Sequence, residues 1–248
     1  MSQLQYEIVE DPTRTKYLED RWSNRLIDKL SEVEGSILVQ TTYNDMLVML
    51  EYINDEQLAA SFLYFALYNS EFMLRTFTER GLQFATDNVR VSNPQFSQLA
   101  PFQALSSPAD FTIYNTALNN NSKYLNQFSN ELYFSIKDII NKKLGIQDTR
   151  NVISLIFNNA KNRANMHART STMETFNNSA WDRYKTLGVK KYIFLTHEGA
   201  CTDDKTLRDG TIIVGGCTAL HGKEFPINDR KHIPPIHPLG RCTILPKI

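Results

Sequence analysis

The residues best suited to chemistry in this chain are three cysteines and five histidines, and all lie after residue 150: Cys201, Cys217, Cys242, His167, His197, His221, His232 and His237. Thiolate sulfur and imidazole nitrogen are the donors a structural zinc ion takes, four of them in a tetrahedron, in pairs from separate segments. Cys201 and Cys217 would form one pair by flanking a hairpin. His237 and Cys242 would form the other, within "RKHIPPIHPLGRCTILPKI", where Pro235 and Pro238 restrict the backbone. Each cysteine would bind as a thiolate, and binding would add to folding stability. The other reading makes Cys217 and Cys242 small buried hydrophobes. His221 is a spare ligand or a solvated turn residue.

Two arginines stand where they can brace that tail. Helical spacing puts Arg169 on one face with Thr172, Met173 and Phe176. A planar guanidinium there would donate to the tail's carbonyls, and Arg241 would do the same from the other side. Cations also cluster in this half: Lys161 and Arg163, Lys190 and Lys191, Arg230 and Lys231. These are candidates for weak, salt-sensitive contact with DNA phosphates, or ordinary solvated charges. Signatures of catalysis are missing. There is no Gly-rich phosphate loop, nucleophile elbow or His-Glu-x-x-His, and Glu198 and Glu224 have no second carboxylate at a useful spacing.

The elements that must position these groups read as helices first and a small sheet last. Leu18, Trp22, Leu26 and Leu30 recur every four residues, with Ile27 and Val33 widening the stripe. A second helix is expected over 44–53. A third starts with Asn54 as N-cap and Gln57 three residues on, is apolar on most sides, and stops at Gly81. Residues 91–121 carry prolines, serines and an asparagine run, so they read as a long loop. Its aromatics, Phe96, Phe102, Phe111 and Tyr114, would pin it to its own surface or to another subunit. Helix resumes over 126–145. Residues 148–188 are expected to form two helices, with Asp148 capping the first and the second running from near Asn162 to Gly188. "VKKYIFLTHEG" is the clearest strand, apolar enough for burial on both faces, and "GTIIVGGC" and "RCTILP" offer two more. The expectation is an α+β chain: a mainly helical region over 1–145, then a small α+β domain over 146–248.

Bulk properties narrow the partners. Hydrophobic residues make up 42 % and charged residues 22 %, the balance of a soluble protein with a core. The start is polar, without a signal peptide's apolar stretch, and the greasiest run, 58–68, is too short to cross a membrane. An odd cysteine count favours a reducing compartment. The net charge is zero, but residues 1–150 hold 13 Lys+Arg against 19 Asp+Glu, and the remainder 14 against 8. No electrostatic argument for a nucleic-acid partner follows from the total.

"ARTSTMETFNNSAWDRYKTLGV", "KKYIFLTHEGAC", "CTALHGKEFP" and "PPIHPLGRCTILP", in that order over 146–248, resemble the phage Mu F-like head morphogenesis domain. The closing Pro-Pro-x-His-Pro motif is the specific part. Three positions depart from the family pattern: Ser171 replaces a glutamate, and Val214 and Gly240 replace cysteines. Cys201 is placed to substitute for one of them. The resemblance implies a minor head protein of a tailed phage, inside the capsid near the portal, and a role in assembly rather than turnover. The implied partners are the portal, other head proteins and packaged DNA. The likeness of this domain to the ADP-ribosyltransferase fold keeps an ADP-ribosyltransferase-like enzyme or toxin open, although "RTSTMET" crowds its letters onto one helix. A zinc-containing DNA-binding protein is the other alternative.

Overall fold

Residues 11–40, 42, 44–48, 56–99, 102, 105, 108–207 and 209–248 are described by the computed structural model, with side chains at all of these except 56–70, 108–109, 124–129 and 132. The fold is α+β, and the described residues form four long helices followed by short antiparallel strands. Helix α1 spans Lys16–Leu38, α2 Glu56–Ser92, α3 Pro108–Lys142 and α4 Ile146–Thr186. Residues 44–48 are also helical, while 49–53 and Asn54 lie outside the described residues. The stripe expected on α1 is buried at Leu18, Trp22, Leu26 and Leu30. Among the described residues no helix is long and apolar enough to cross a membrane.

Three expectations about helix ends fail, each for a local reason. Helix α2 does not stop at Gly81 but runs on to Ser92. Gly81 serves close approach instead: a Cβ there would stand 2.3 Å from the Phe176 carbonyl oxygen and 2.8 Å from Ser179 Cβ. The loop expected through residue 121 gives way to α3 at Pro108, a residue suited to a helix's first turn. The asparagine run continues the helix, because each Asn costs only about 0.5 kcal/mol against alanine. Phe96 and Tyr114 are held within the chain, Phe96 against the core cluster of α2 and α4, and Tyr114 buried. The two helices expected over 148–188 are one, since neither glycine nor proline interrupts Ile146–Thr186. Asp148 falls in its first turn rather than at the cap. Its end is as read: Gly188 and Val189 donate back to the Lys185 and Tyr184 carbonyls, a Schellman pattern.

By internal contacts the chain divides into two units, and neither is a continuous half. One gathers the segment ending at Glu19 with Leu74–Ala117 and Arg169–Ile248, the other Asp20–Met73 with Leu118–Ala168. The boundary expected at 145/146 coincides with the break between α3 and α4. The units ignore it, because α2, α3 and α4 each contribute to both. Helices of 35 to 41 residues are about 50–60 Å long, enough for one helix to serve two cores.

In the unit built on 20–73 and 118–168, the core includes one histidine. His167 is 5 % exposed, donates from Nε2 to Asn121 Oδ1 at 2.6 Å and meets the edge of Trp22. Burial pushes its pKa down to about 3. A depressed pKa contributes stability that is present above the unfolded value, near 6.5, and lost as pH falls toward the folded one. From pH 7 to pH 5 the loss from this group is about 2 kcal/mol. Urea titrations at the two pH values are expected to show that loss in the native protein and a clearly smaller one in His167→Gln.

The other unit carries the sheet. Strands β1 (Lys191–Leu195), β4 (Glu224–Pro226) and β5 (Thr243–Lys247) form one sheet in the order β4-β1-β5, antiparallel throughout. Strands β2 (Lys205–Thr206) and β3 (Ile212–Ile213) pair as a separate ribbon. As the center of the larger sheet, β1 is buried from Tyr192 through Leu195, the two-faced burial expected from its sequence. Tyr192 and Ile244 pack with Ala85 and Val89 of α2 and with Ala180, Trp181 and Tyr184 of α4. Phe194 enters a second cluster with Leu207, Ile213, Cys217, Leu220 and Cys242.

Candidate metal centre

That second cluster holds the donor groups. Cys201 follows the turn after β1, Cys217 follows β3, and His237 belongs to the proline-rich segment before β5. Their ligand atoms all lie within 4.8 Å of one another. His237 Nε2 is 3.2 Å from Cys201 Sγ and 3.2 Å from Cys217 Sγ. Zinc bonds of about 2.0 Å to nitrogen and 2.3 Å to sulfur at a tetrahedral angle put those atoms about 3.5 Å apart. The contacts need to open by only a few tenths of an ångström.

The backbone around the donors is shaped to keep them there. Gly216 has φ 59°, and a Cβ on it would stand 2.5 Å from the Asp203 carbonyl oxygen and 3.0 Å from Cys201 Sγ. Only glycine permits that turn, which lets the Cys217 N–H donate to Cys201 Sγ at 3.3 Å. A backbone N–H aimed at sulfur stabilises a thiolate. His237 Nδ1 donates to the Pro238 carbonyl at 2.7 Å, which leaves Nε2 with its lone pair toward the two sulfurs. This is the contribution of Pro238. Hydrogen bonding to Cys242, then burial, pushes the Cys217 thiol well above its usual range, and burial pushes Cys201 up. A divalent cation reverses that preference, because its charge favours bound thiolate over thiol.

Of the four ligands expected, Cys242 is the one outside the close group, although it packs in the same cluster. His221 is committed elsewhere: its Nδ1 lies 2.8 Å from Thr196 Oγ1 and accepts from the Thr196 N–H.

Arg241 is expected to donate to carbonyls of the tail. It pairs instead with Glu19 of α1, Nη2 to Oε2 at 2.6 Å and Nη1 to Oε1 at 3.3 Å. Arg241 is 7 % exposed and Glu19 2 %, and a guanidinium so buried needs an opposite charge. Thr15 Oγ1 donates to the same carboxylate at 2.9 Å. Arg169, on α4, is half-buried, and its charge is felt at Glu19 and at His197. Beside it, Thr170 Oγ1 accepts from the Leu239 N–H at 3.2 Å. Pro235 is half-buried behind a buried Pro234.

The clamp that sequence reasoning missed is Asn177. Its Nδ2 donates to the carbonyls of Met173 and Cys242, both at 3.0 Å, and its Oδ1 accepts from Thr243 Oγ1 at 2.7 Å. All four residues are buried. Replacing Asn177 with alanine strands a carbonyl and a hydroxyl at the start of β5, which is expected to cost about 2 kcal/mol in a denaturant titration. An asparagine in a helix carries no sequence mark of this role; only the long-range partner reveals it.

The cations proposed to face DNA are mostly engaged within the chain. Lys161 pairs with Glu34 at 2.6 Å, and Arg163 pairs with Glu131. Lys191 pairs with Glu224 at 3.3 Å and Lys231 with Asp209 at 2.6 Å. Arg230 lies over the Trp181 ring, 4.6 Å from its centroid. Lys190 is exposed. Such pairing weakens the argument for a phosphate track, since five of the six cations already have a counter-charge or a π face.

No family model, curated protein or solved structure matches the chain.

Proposed function

We propose that this chain is a minor head protein of a tailed phage, of the Mu F-like kind, whose C-terminal module is closed by a structural zinc ion on Cys201, Cys217 and His237. The observation that carries the zinc reading is the convergence of those three donors from three separate segments. The virion reading rests on the motifs that run from α4 to the tail, and the tail's behaviour supports it. The proline-rich segment folds back, and β5 lies along β1 over its whole length. In this reading the metal and the tail lock the module, and the helices of the remainder engage the portal and neighbouring head proteins. The work is assembly and genome delivery inside the capsid, without turnover. With most candidate cations already paired, contact with packaged DNA is a minor part.

Two measurements test it. Purified full-length protein is expected to hold one zinc per chain by elemental analysis, released by chelator with a fall in melting temperature. Mass spectrometry of purified virions and procapsids of the phage that encodes it is expected to find the protein in both. Its absence from both particles would overturn the virion reading, and a metal content near zero after growth in zinc-supplemented medium would overturn the zinc reading.

A further inference from the structure

We propose that Cys201 and Cys217 are an oxidation site: a peroxide joins them in a reversible disulfide, and the new bond withdraws two of the three donors from the metal. The bond itself rests on the geometry of the two segments. The departure of the metal rests on the zinc reading above.

All three cysteines are free in the structure. The main chain brings Cys201 and Cys217 together across the β2–β3 ribbon that they flank. The Thr218 N–H donates to the Cys201 carbonyl at 3.2 Å, and the Cys217 N–H donates to Cys201 Sγ at 3.3 Å. Gly216 passes so close that a Cβ on it would stand 2.7 Å from the Cys201 carbonyl oxygen. These are backbone contacts, so they hold the pair with or without a cation between the sulfurs. The two sulfurs lie within 4.8 Å of each other. A disulfide has its sulfurs about 2.05 Å apart, so they must approach by at most about 2.8 Å. One rotamer step about the Cα–Cβ bond swings a sulfur by about 3 Å.

Burial sorts the roles. Cys201 is partly exposed and open to a small oxidant, whereas Cys217 is 1 % exposed. An accessible thiol with a shielded one beside it suits oxidation through a sulfenic acid that the second thiol resolves. A bound cation keeps both sulfurs as thiolates, the nucleophilic form. The Cys201 thiolate attacks one oxygen of hydrogen peroxide. The S–O bond forms, the O–O bond breaks and hydroxide leaves. The Cys217 thiolate then attacks that sulfur. The S–S bond forms, the S–O bond breaks and a second hydroxide leaves. Two electrons have passed from the sulfur pair to the peroxide, and two protons from solvent make the hydroxides water. His237 is then the one remaining donor of the three, and a single imidazole does not retain zinc. A dithiol reverses the bond by exchange. In the virion reading the change of state has an occasion, because lysis carries the protein from a reducing cytoplasm into an oxidising medium.

The test uses zinc-loaded, full-length protein treated with hydrogen peroxide, then denatured, alkylated and digested without reductant. Mass spectrometry is expected to find the Cys201 and Cys217 peptides linked and Cys242 alkylated, so that two of the three thiols are lost. A chromophoric chelator is expected to collect about one zinc per chain as the link forms, and dithiothreitol to restore both thiols and the metal site. Cys242→Ala is expected to give the same link. Three surviving thiols, a link through Cys242, or Cys201 carried on to sulfinic acid would overturn the proposal and leave the zinc reading standing. Zinc retained after the link has formed would overturn the withdrawal of donors. The same link in a protein that never held zinc would uphold the oxidation site and sink the zinc reading alone.

Discussion

Replacing Arg241 with alanine is expected to cost about 3–5 kcal/mol of stability, the penalty for leaving one partner of a buried ion pair alone. Glu19 would be that partner. It is 2 % exposed, and burial already pushes its carboxyl above the usual range while Arg241, Thr15 and Arg169 pull it back. Without Arg241 the opposing pull weakens and the carboxyl rises further. A carboxyl whose folded pKa lies above its unfolded value contributes stability below the unfolded value and loses it as pH rises through the folded one. The deficit of Arg241→Ala is therefore expected to be largest near neutral pH and to shrink as pH falls toward 4.5, where the orphaned Glu19 takes up a proton. Urea titrations at pH 7 and pH 4.5 on wild type and variant read both effects. The paired change Glu19→Leu with Arg241→Met removes both charges at similar volume and is expected to recover most of the loss. If the double variant is no better than Arg241→Ala, the ion pair is not what makes Arg241 costly to remove.

The second large effect is at Gly81. Gly81→Val is expected to lose at least about 3 kcal/mol, because its Cβ would press on the Phe176 carbonyl and on Ser179, neither of which is a flexible chain end. Gly35 provides the control. It also lies in a helix, but a Cβ there meets nothing within 4 Å. Gly35→Ala is expected to stabilise by about 0.5–1 kcal/mol, while Gly81→Ala destabilises. Two identical substitutions with opposite signs would separate helix propensity from packing. Equal gains at both positions would show that α2 and α4 are not pressed together there.

Those two glycines also mark where the sequence could be read and where it could not. The stripe of α1 and the burial of β1 follow from periodicity and composition, which are local properties. Gly81 looks like a helix stop because the same residue type serves as a C-terminal cap and as a place where two backbones approach. Nothing within the window around it says which. The asparagines at 119–121 look like loop, yet Asn121 is buried and holds His167. At the site, residue type named Cys201, Cys217 and His237 correctly as a group that meets. It misjudged the routes by which Arg241 and the tail are held, because Glu19 and Asn177 lie far away in sequence and are ordinary helix residues by pattern.

The strand order β4-β1-β5 has a consequence for the life of the chain on the ribosome. Both partners of β1 are translated after it, and the longer one last. At ~5–20 residues per second, roughly 2–10 s separate Leu195 from Thr243. Through that interval the nascent chain carries Tyr-Ile-Phe-Leu with an unsatisfied edge, an uncharged, proline-free stretch of high aggregation propensity. A ribosome that stalls before Thr243 therefore leaves a product prone to clump, and a holdase that shields this stretch would raise the yield of soluble protein.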